Sequence, residues 1–64
     1  MRVAVYEVNQ HTGEEVREWC GDASLWLTQF EESERYAYED ELNKSRRVWI
    51  GGGAAPLFVV RATA

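Results

Sequence analysis

The sequence predicts a single α+β domain over residues 1–64, built as ββαββ with a four-stranded sheet in the order 2-1-4-3 and one helix packed on one face. Two observations carry this prediction. Segments near both ends of the chain are apolar on both faces of an extended strand, as central strands are. Between them, residues 23–42 repeat apolar side chains with the helical period and contain no glycine or proline. With the first and last strands central, we predict that these two strands pair in parallel.

The first two strands are predicted to form a hairpin. Residues 2–8 carry apolar side chains on both faces, which marks a central strand. A turn follows at residues 9–13, where Gly13 is suited to a positive φ. Residues 14–20 return as a second strand, and its many charged side chains are typical of a sheet edge.

The helix has candidate signals at both ends. Asp22 or Ser24 can cap its start by accepting backbone N–H bonds, and Asn43 is placed to end it at the C′ position. Between these ends, apolar residues fall within one arc at about 100° per residue. The residues of this arc are Ala23, Trp26, Leu27, Phe30, Ala37 and Tyr38. We therefore predict one continuous helix over residues 23–42.

A second interpretation of this region stays open. Glu34 and Glu41 fall inside the apolar arc, and acids crowd a helix end whose partial charge is already negative. In the alternative the helix stops near Ser33, residues 35–39 form a strand, and this strand pairs with residues 46–50. The absence of breakers favours the continuous helix.

The last two strands complete the sheet. Residues 46–50 form the third strand, residues 51–56 a glycine-rich connection, and residues 57–61 a fourth strand that is apolar on both faces and hence central. With its central pair parallel, this order resembles a reduced β-grasp arrangement.

Composition excludes several classes of function. Cys20 and His11 are the single cysteine and histidine, so neither an internal disulfide nor the usual zinc ligand sets can form, and we expect no metal or other cofactor. The two residues lie at opposite ends of the predicted second strand, too far apart for a nucleophile and its base. We therefore expect no catalytic residues and no enzyme. A lone cysteine fits a reducing cytoplasm, and no apolar run approaches the ~20 residues of a membrane span.

The acidic character is concentrated in one segment. Residues 31–41 hold six of the eleven acids and one base, Arg35, for a net charge of −5. The rest of the chain holds five acids and six bases, a net of +1. On a helix, Arg35 can pair with Glu31 and Glu39 at i±4. The segment is either a solvated helix face or a surface for a basic partner.

Aromatic residues beside the acids offer anchors for a partner, since tyrosine and tryptophan are enriched at interfaces. Tyr36 lies at the margin of the acidic face, and Trp49 alternates away from Val48 and Ile50. Carboxylates one helical turn apart, about 5–6 Å, can occupy a groove that otherwise holds nucleic-acid phosphates. The candidate partner-binding residues are Glu31, Glu32, Tyr36, Glu39, Asp40 and Trp49.

In general character the chain resembles small phage-encoded inhibitors of the anti-CRISPR type: very short, acidic, aromatic-rich and without a catalytic set. That resemblance rests on the acids of residues 31–41. It implies a non-enzymatic DNA mimic that blocks a basic nucleic-acid-binding site on a protein partner, in the host cytoplasm. With a net charge of −4, we expect no direct binding of nucleic acid. Because no apolar run is long enough for a span, we also expect no membrane association. The alternative is a small assembly module that forms a homodimer, or docks on a partner, through an aromatic apolar face that includes Trp49.

Overall fold

Four strands and two helices make up the fold of residues 1–63, the part of the chain that the computed structural model describes. The strands form one sheet in the order β2-β1-β4-β3, so the predicted α+β class and strand order are confirmed. The elements are β1 (Arg2–Val8), β2 (Glu15–Asp22), α1 (Ala23–Leu27), α2 (Glu32–Ser45), β3 (Arg47–Ile50) and β4 (Phe58–Thr63).

The two central strands supply the floor of the core. Val3 of β1 and Val60 of β4 are fully buried, whereas β2 is exposed along most of its length, as predicted for an edge strand. Trp26 and Leu27 of α1 pack on the same side of the sheet, together with Leu42 of α2. The main core therefore lies between one face of the sheet and the two helices. Within residues 1–63 no helix or strand covers the opposite face, where Ala4 and Val59 are nevertheless buried by neighbouring side chains.

The central pair of strands is antiparallel, which corrects the predicted parallel pairing and the β-grasp resemblance. Arg2 lies opposite Thr63, and Glu7 lies opposite Phe58. A single helix after β2 would carry the chain to the far end of the sheet and start β3 there. Two helices carry it out and back, so β3 starts at the end where β2 finishes. The whole sheet is antiparallel for that reason.

The break between α1 and α2 corrects the predicted continuous helix over 23–42. The Thr28 hydroxyl donates a hydrogen bond to the Leu25 carbonyl, at 2.6 Å, and the Phe30 N–H reaches the Leu27 carbonyl, which tightens and ends α1. The alternative strand at residues 35–39 is also wrong, because those residues lie inside α2.

Packing of aromatic rings explains the break. The ring centroids of Phe30 and Tyr38 lie 4.8 Å apart, and those of Trp26 and Tyr38 lie 5.7 Å apart. In a continuous helix the rise alone would separate Phe30 from Tyr38 by about 12 Å. The chain must turn back between them to bring the three rings together, and the buried aromatic area offsets the lost helical hydrogen bonds.

The helix ends show how the elements are joined. The predicted Asp22 cap of α1 is confirmed, since its Oδ1 accepts the Ser24 N–H at 2.9 Å. This bond, with one from the Ser24 hydroxyl, lowers the pKa of the Asp22 carboxyl below its ordinary value. α2 does not end at Asn43 as predicted. It runs to Ser45 and closes with Arg46 in the left-handed region at φ 63°.

Two connections have glycines where the backbone requires them. Gly13 has the predicted positive φ, 78°, in the turn between β1 and β2. The connection from β3 to β4 turns through Gly51 and Gly52, with φ values of 67° and 81°. Hydrogen bonds from the Leu57 N–H to the Ile50 carbonyl and from the Val8 N–H to the Leu57 carbonyl fix this connection to the sheet.

Candidate interaction surfaces

The helix α2 is exposed around most of its circumference. Leu42 is its one buried residue out of 14, and Tyr38 is half-buried. The helix packs mainly against β3 and α1, and its Leu42 joins the core cluster with Val3 and Val60. Glu34 and Glu41, which conflicted with a continuous apolar stripe, are both exposed, because α2 starts anew with its own orientation. Most side chains of α2 are therefore exposed to solvent, and few of them pack in the core.

Five of the six candidate residues lie together on this helix. Glu32, Tyr36 and Glu39 follow one another at i, i+4 and i+7 along one flank, and Asp40 lies beside Tyr36. Glu31 occupies the N-cap position and makes no side-chain capping bond. All five are exposed, and Tyr36 has 68% of its area accessible. We call these five residues the acidic α2 surface.

Charges on the acidic α2 surface are only partly neutralised. The Lys44 Nζ lies 2.9 Å from the Asp40 Oδ2, and this bond raises the pKa of Lys44. Within residues 1–63 the one other ion pair joins Arg61 to Glu15, so the predicted pairs of Arg35 with Glu31 and Glu39 are not formed. Most carboxylates of this surface remain available to an external cation.

Trp49 lies apart from the other five candidates. It alternates away from the core as predicted and is 59% exposed, but it stands on the face of the sheet that no helix covers. The guanidinium carbon of Arg47 lies 5.1 Å from the centre of its ring. Trp49 also lines a shallow hollow with Ala37 and Glu41 of α2, whereas none of the other five candidates lines it.

The uncovered face of the sheet, which we call the open sheet face, is basic. Pairing and alternation place Arg2, Arg17, Arg47 and Arg61 on it, four of the seven bases of the chain. Arg61 binds both carboxylate oxygens of Glu15, at 2.9 and 3.1 Å, and this contact raises the pKa of Arg61. Most acids of α2 thus lie away from these bases, although Glu41 lines a shallow hollow with Arg47. The alternation of side chains along the strands places these arginines on one face, and this basic face was not predicted.

A third surface is an apolar cleft on the helical side of the sheet. Because α1 has five residues and α2 keeps to β3, part of the sheet beside β2 stays uncovered. The cleft has a volume of about 540 Å³. Its floor and walls include Val5, Trp19, Leu25, Trp26, Phe30 and Phe58. Trp19 is 39% exposed and Leu25 is 64% exposed, so the cleft opens to solvent. Sequence reasoning did not find it.

The reactive residues considered from the sequence form no cluster. Cys20 is an exposed free thiol on the open sheet face, and His11 lies in the turn after β1, where its backbone N–H binds the Asn9 side chain. Residues 1–63 contain no group of three or more His, Cys, Asp or Glu side chains arranged to hold a metal ion. No helix within that range is long and apolar enough to cross a membrane.

Comparison with models of known protein families, with curated proteins and with solved structures finds no match to this chain. The functional interpretation therefore depends on the three surfaces themselves.

Proposed function

We propose that this chain is a non-enzymatic binding protein that uses its acidic α2 surface to block a basic, nucleic-acid-binding site on a protein partner, as anti-CRISPR-type DNA mimics do. The observation that carries the proposal is the exposure of α2. A helix that buries one residue of 14 contributes little to the core, yet it holds the main acidic segment of the chain in a fixed geometry.

The geometry of the acidic α2 surface fits such a partner. Glu32 and Glu39 flank Tyr36 along about two turns of helix, so charge and an aromatic contact alternate on one side. A basic groove that binds phosphates would also attract these carboxylates, because both groups are anionic. Tyr36 would add buried area at the centre of the contact, where interfaces gain most of their energy.

Charge separation across the molecule supports a directed approach. Because four arginines lie on the open sheet face and six acids lie on and just before α2, a cationic partner is drawn toward the helical side. Attraction of this kind raises the association rate and weakens with salt, with a screening length of about 8 Å at physiological ionic strength.

Reversal of three charges tests the proposal. The variant Glu32→Lys, Glu39→Lys, Asp40→Lys is expected to lose partner capture by at least about tenfold, because basic side chains would then face a basic groove. The measurement is a pull-down from nuclease-treated extract of the cells in which the chain acts, with quantification of each captured protein. Far-UV circular dichroism checks that the variant stays folded.

The matched control for this test reverses three exposed acids elsewhere. Glu7→Lys, Glu14→Lys, Glu18→Lys changes the net charge by the same amount but leaves α2 intact. It should keep partner capture within about threefold, since its changes lie outside the acidic α2 surface. If both variants lose capture equally, net charge alone governs the interaction and the proposed surface is wrong.

A second function, a small assembly module, is favoured by one observation at Trp49. This residue is 59% exposed on the open sheet face, where no helix covers the sheet. Tryptophan is enriched among the residues that contribute most binding energy at interfaces, so Trp49 is a candidate anchor. A homodimer through this face would appear as a molecular mass that rises with concentration in light scattering. The mass of Trp49→Ala should then stay that of a monomer.

A further inference from the structure

The apolar cleft beside β2 has the size and lining of a ligand site. Its volume of about 540 Å³ lies within the range of small-molecule pockets. Trp26 and Phe30 form one wall, with their ring centroids 5.0 Å apart and nearly perpendicular. Trp19 and Leu25 border the opening, and fully buried Val60 lies at the floor. The rings stand at fixed positions, so an apolar body would meet a preformed surface.

A bulge in β2 gives this cleft its charge. The register shifts between Val5 and Tyr6, so Glu18 lines the cleft together with Trp19 instead of pointing to the opposite face. Desolvation and the neighbouring carboxyl of Glu7 raise the pKa of Glu18. Neither carboxylate belongs to an ion pair within residues 1–63. Within residues 1–63 the Glu18 carboxylate therefore lines an aromatic cleft that no basic side chain lines, and the Glu7 carboxylate lies beside Glu18.

We propose that this cleft binds an organic cation with an apolar body, of the alkylammonium class. Aromatic faces attract cations through the ring quadrupole, and the Glu18 carboxylate adds a direct charge at the rim. The apolar body would lie on Val5 and Phe58, where it removes exposed hydrocarbon from water. An anionic or neutral amphiphile of the same length would gain the apolar contact but not the attraction to the carboxylates. This site is separate from the acidic α2 surface.

Three tryptophans make the test specific. Decyltrimethylammonium is titrated into the ¹⁵N-labelled protein below its micelle concentration, and the three indole N–H signals are followed by NMR. The signals of Trp19 and Trp26 are expected to shift in a saturable way, whereas that of Trp49, on the open sheet face, should stay in place. Decyl sulfate should bind more weakly, because its sulfate meets the carboxylates. Equal binding of decyl sulfate would overturn the proposal.

Matched variants locate the charge. Glu18→Gln should weaken decyltrimethylammonium binding about two- to fivefold, because one exposed ion pair contributes about that much to an affinity. Glu14→Gln removes an exposed acid that does not line the cleft and should leave the affinity unchanged. Identical affinities of the two variants would refute the role of Glu18. Shifts of Trp19 and Trp26 that depend on protein concentration without ligand would assign the cleft to a second copy of the chain instead.

Discussion

Replacement of Trp26 by alanine is expected to destabilise the domain by about 3–5 kcal/mol, the usual cost of removing a buried tryptophan. The side chain is 6% exposed and lies in the core between α1, α2 and the sheet. Its ring centroid lies 5.0 Å from that of Phe30 and 5.7 Å from that of Tyr38. A domain of 64 residues has a stability of about 3–10 kcal/mol by per-residue scaling. The variant should therefore lose a large part of its free energy of unfolding, as measured by urea denaturation with circular dichroism.

The same substitution at Trp49 provides the matched control. Trp49 is 59% exposed and its ring contacts the Arg47 guanidinium. Trp49→Ala should therefore lower the free energy of unfolding by less than about 1 kcal/mol. Equal destabilisation by Trp26→Ala and Trp49→Ala would contradict the assignment of the aromatic cluster as the core that closes the helices on the sheet.

Gly52→Ala is expected to cost about 1–3 kcal/mol, and to lower the melting temperature by roughly 4–20 °C. Gly52 has φ 81°, where an L side chain is strained. Its added Cβ would also clash with the Ala55 carbonyl oxygen, so the connection between β3 and β4 would have to move. Thermal unfolding measured by circular dichroism gives the change directly.

The neighbouring glycine gives the opposite expectation. A Cβ at Gly53 meets nothing within 4 Å, and φ there is not positive. Gly53→Ala should therefore be neutral, or stabilising by up to about 1 kcal/mol, because it reduces the conformational entropy of the unfolded chain. A loss of stability in Gly53→Ala as large as that in Gly52→Ala would show that the connection does not have the described conformation.

Strand positions could be predicted from the sequence because alternation is a local signal. Residues 2–8 were assigned as a strand with the bounds that β1 has, and the central place of β1 and β4 follows from apolar residues on both faces. The direction of β4 could not be predicted in this way. It depends on the turn after α1, which has no glycine or proline and results from the packing of Phe30 against Tyr38.

Some features of the candidate surfaces could also be predicted from the sequence, and others could not. Exposure of the acids on α2 was predictable, since six acids within eleven residues cannot be buried. The position of Trp49 beside Ala37 and Glu41 was not, because it depends on how α2 packs against β3. The apolar cleft depends on two tertiary features, the short α1 and the bulge that turns Glu18 toward Trp19. Neither has a local signature in the sequence.

Competition for the captured partner tests the central claim most directly. The partner is loaded with a fluorescently labelled nucleic acid that it binds, and the chain is added while fluorescence anisotropy is recorded. We predict stoichiometric release of the nucleic acid, weakened by added salt, and no release by the Glu32→Lys, Glu39→Lys, Asp40→Lys variant. A ternary complex in which the chain and the nucleic acid bind the partner together would contradict the claim that the acidic α2 surface occupies a nucleic-acid-binding site.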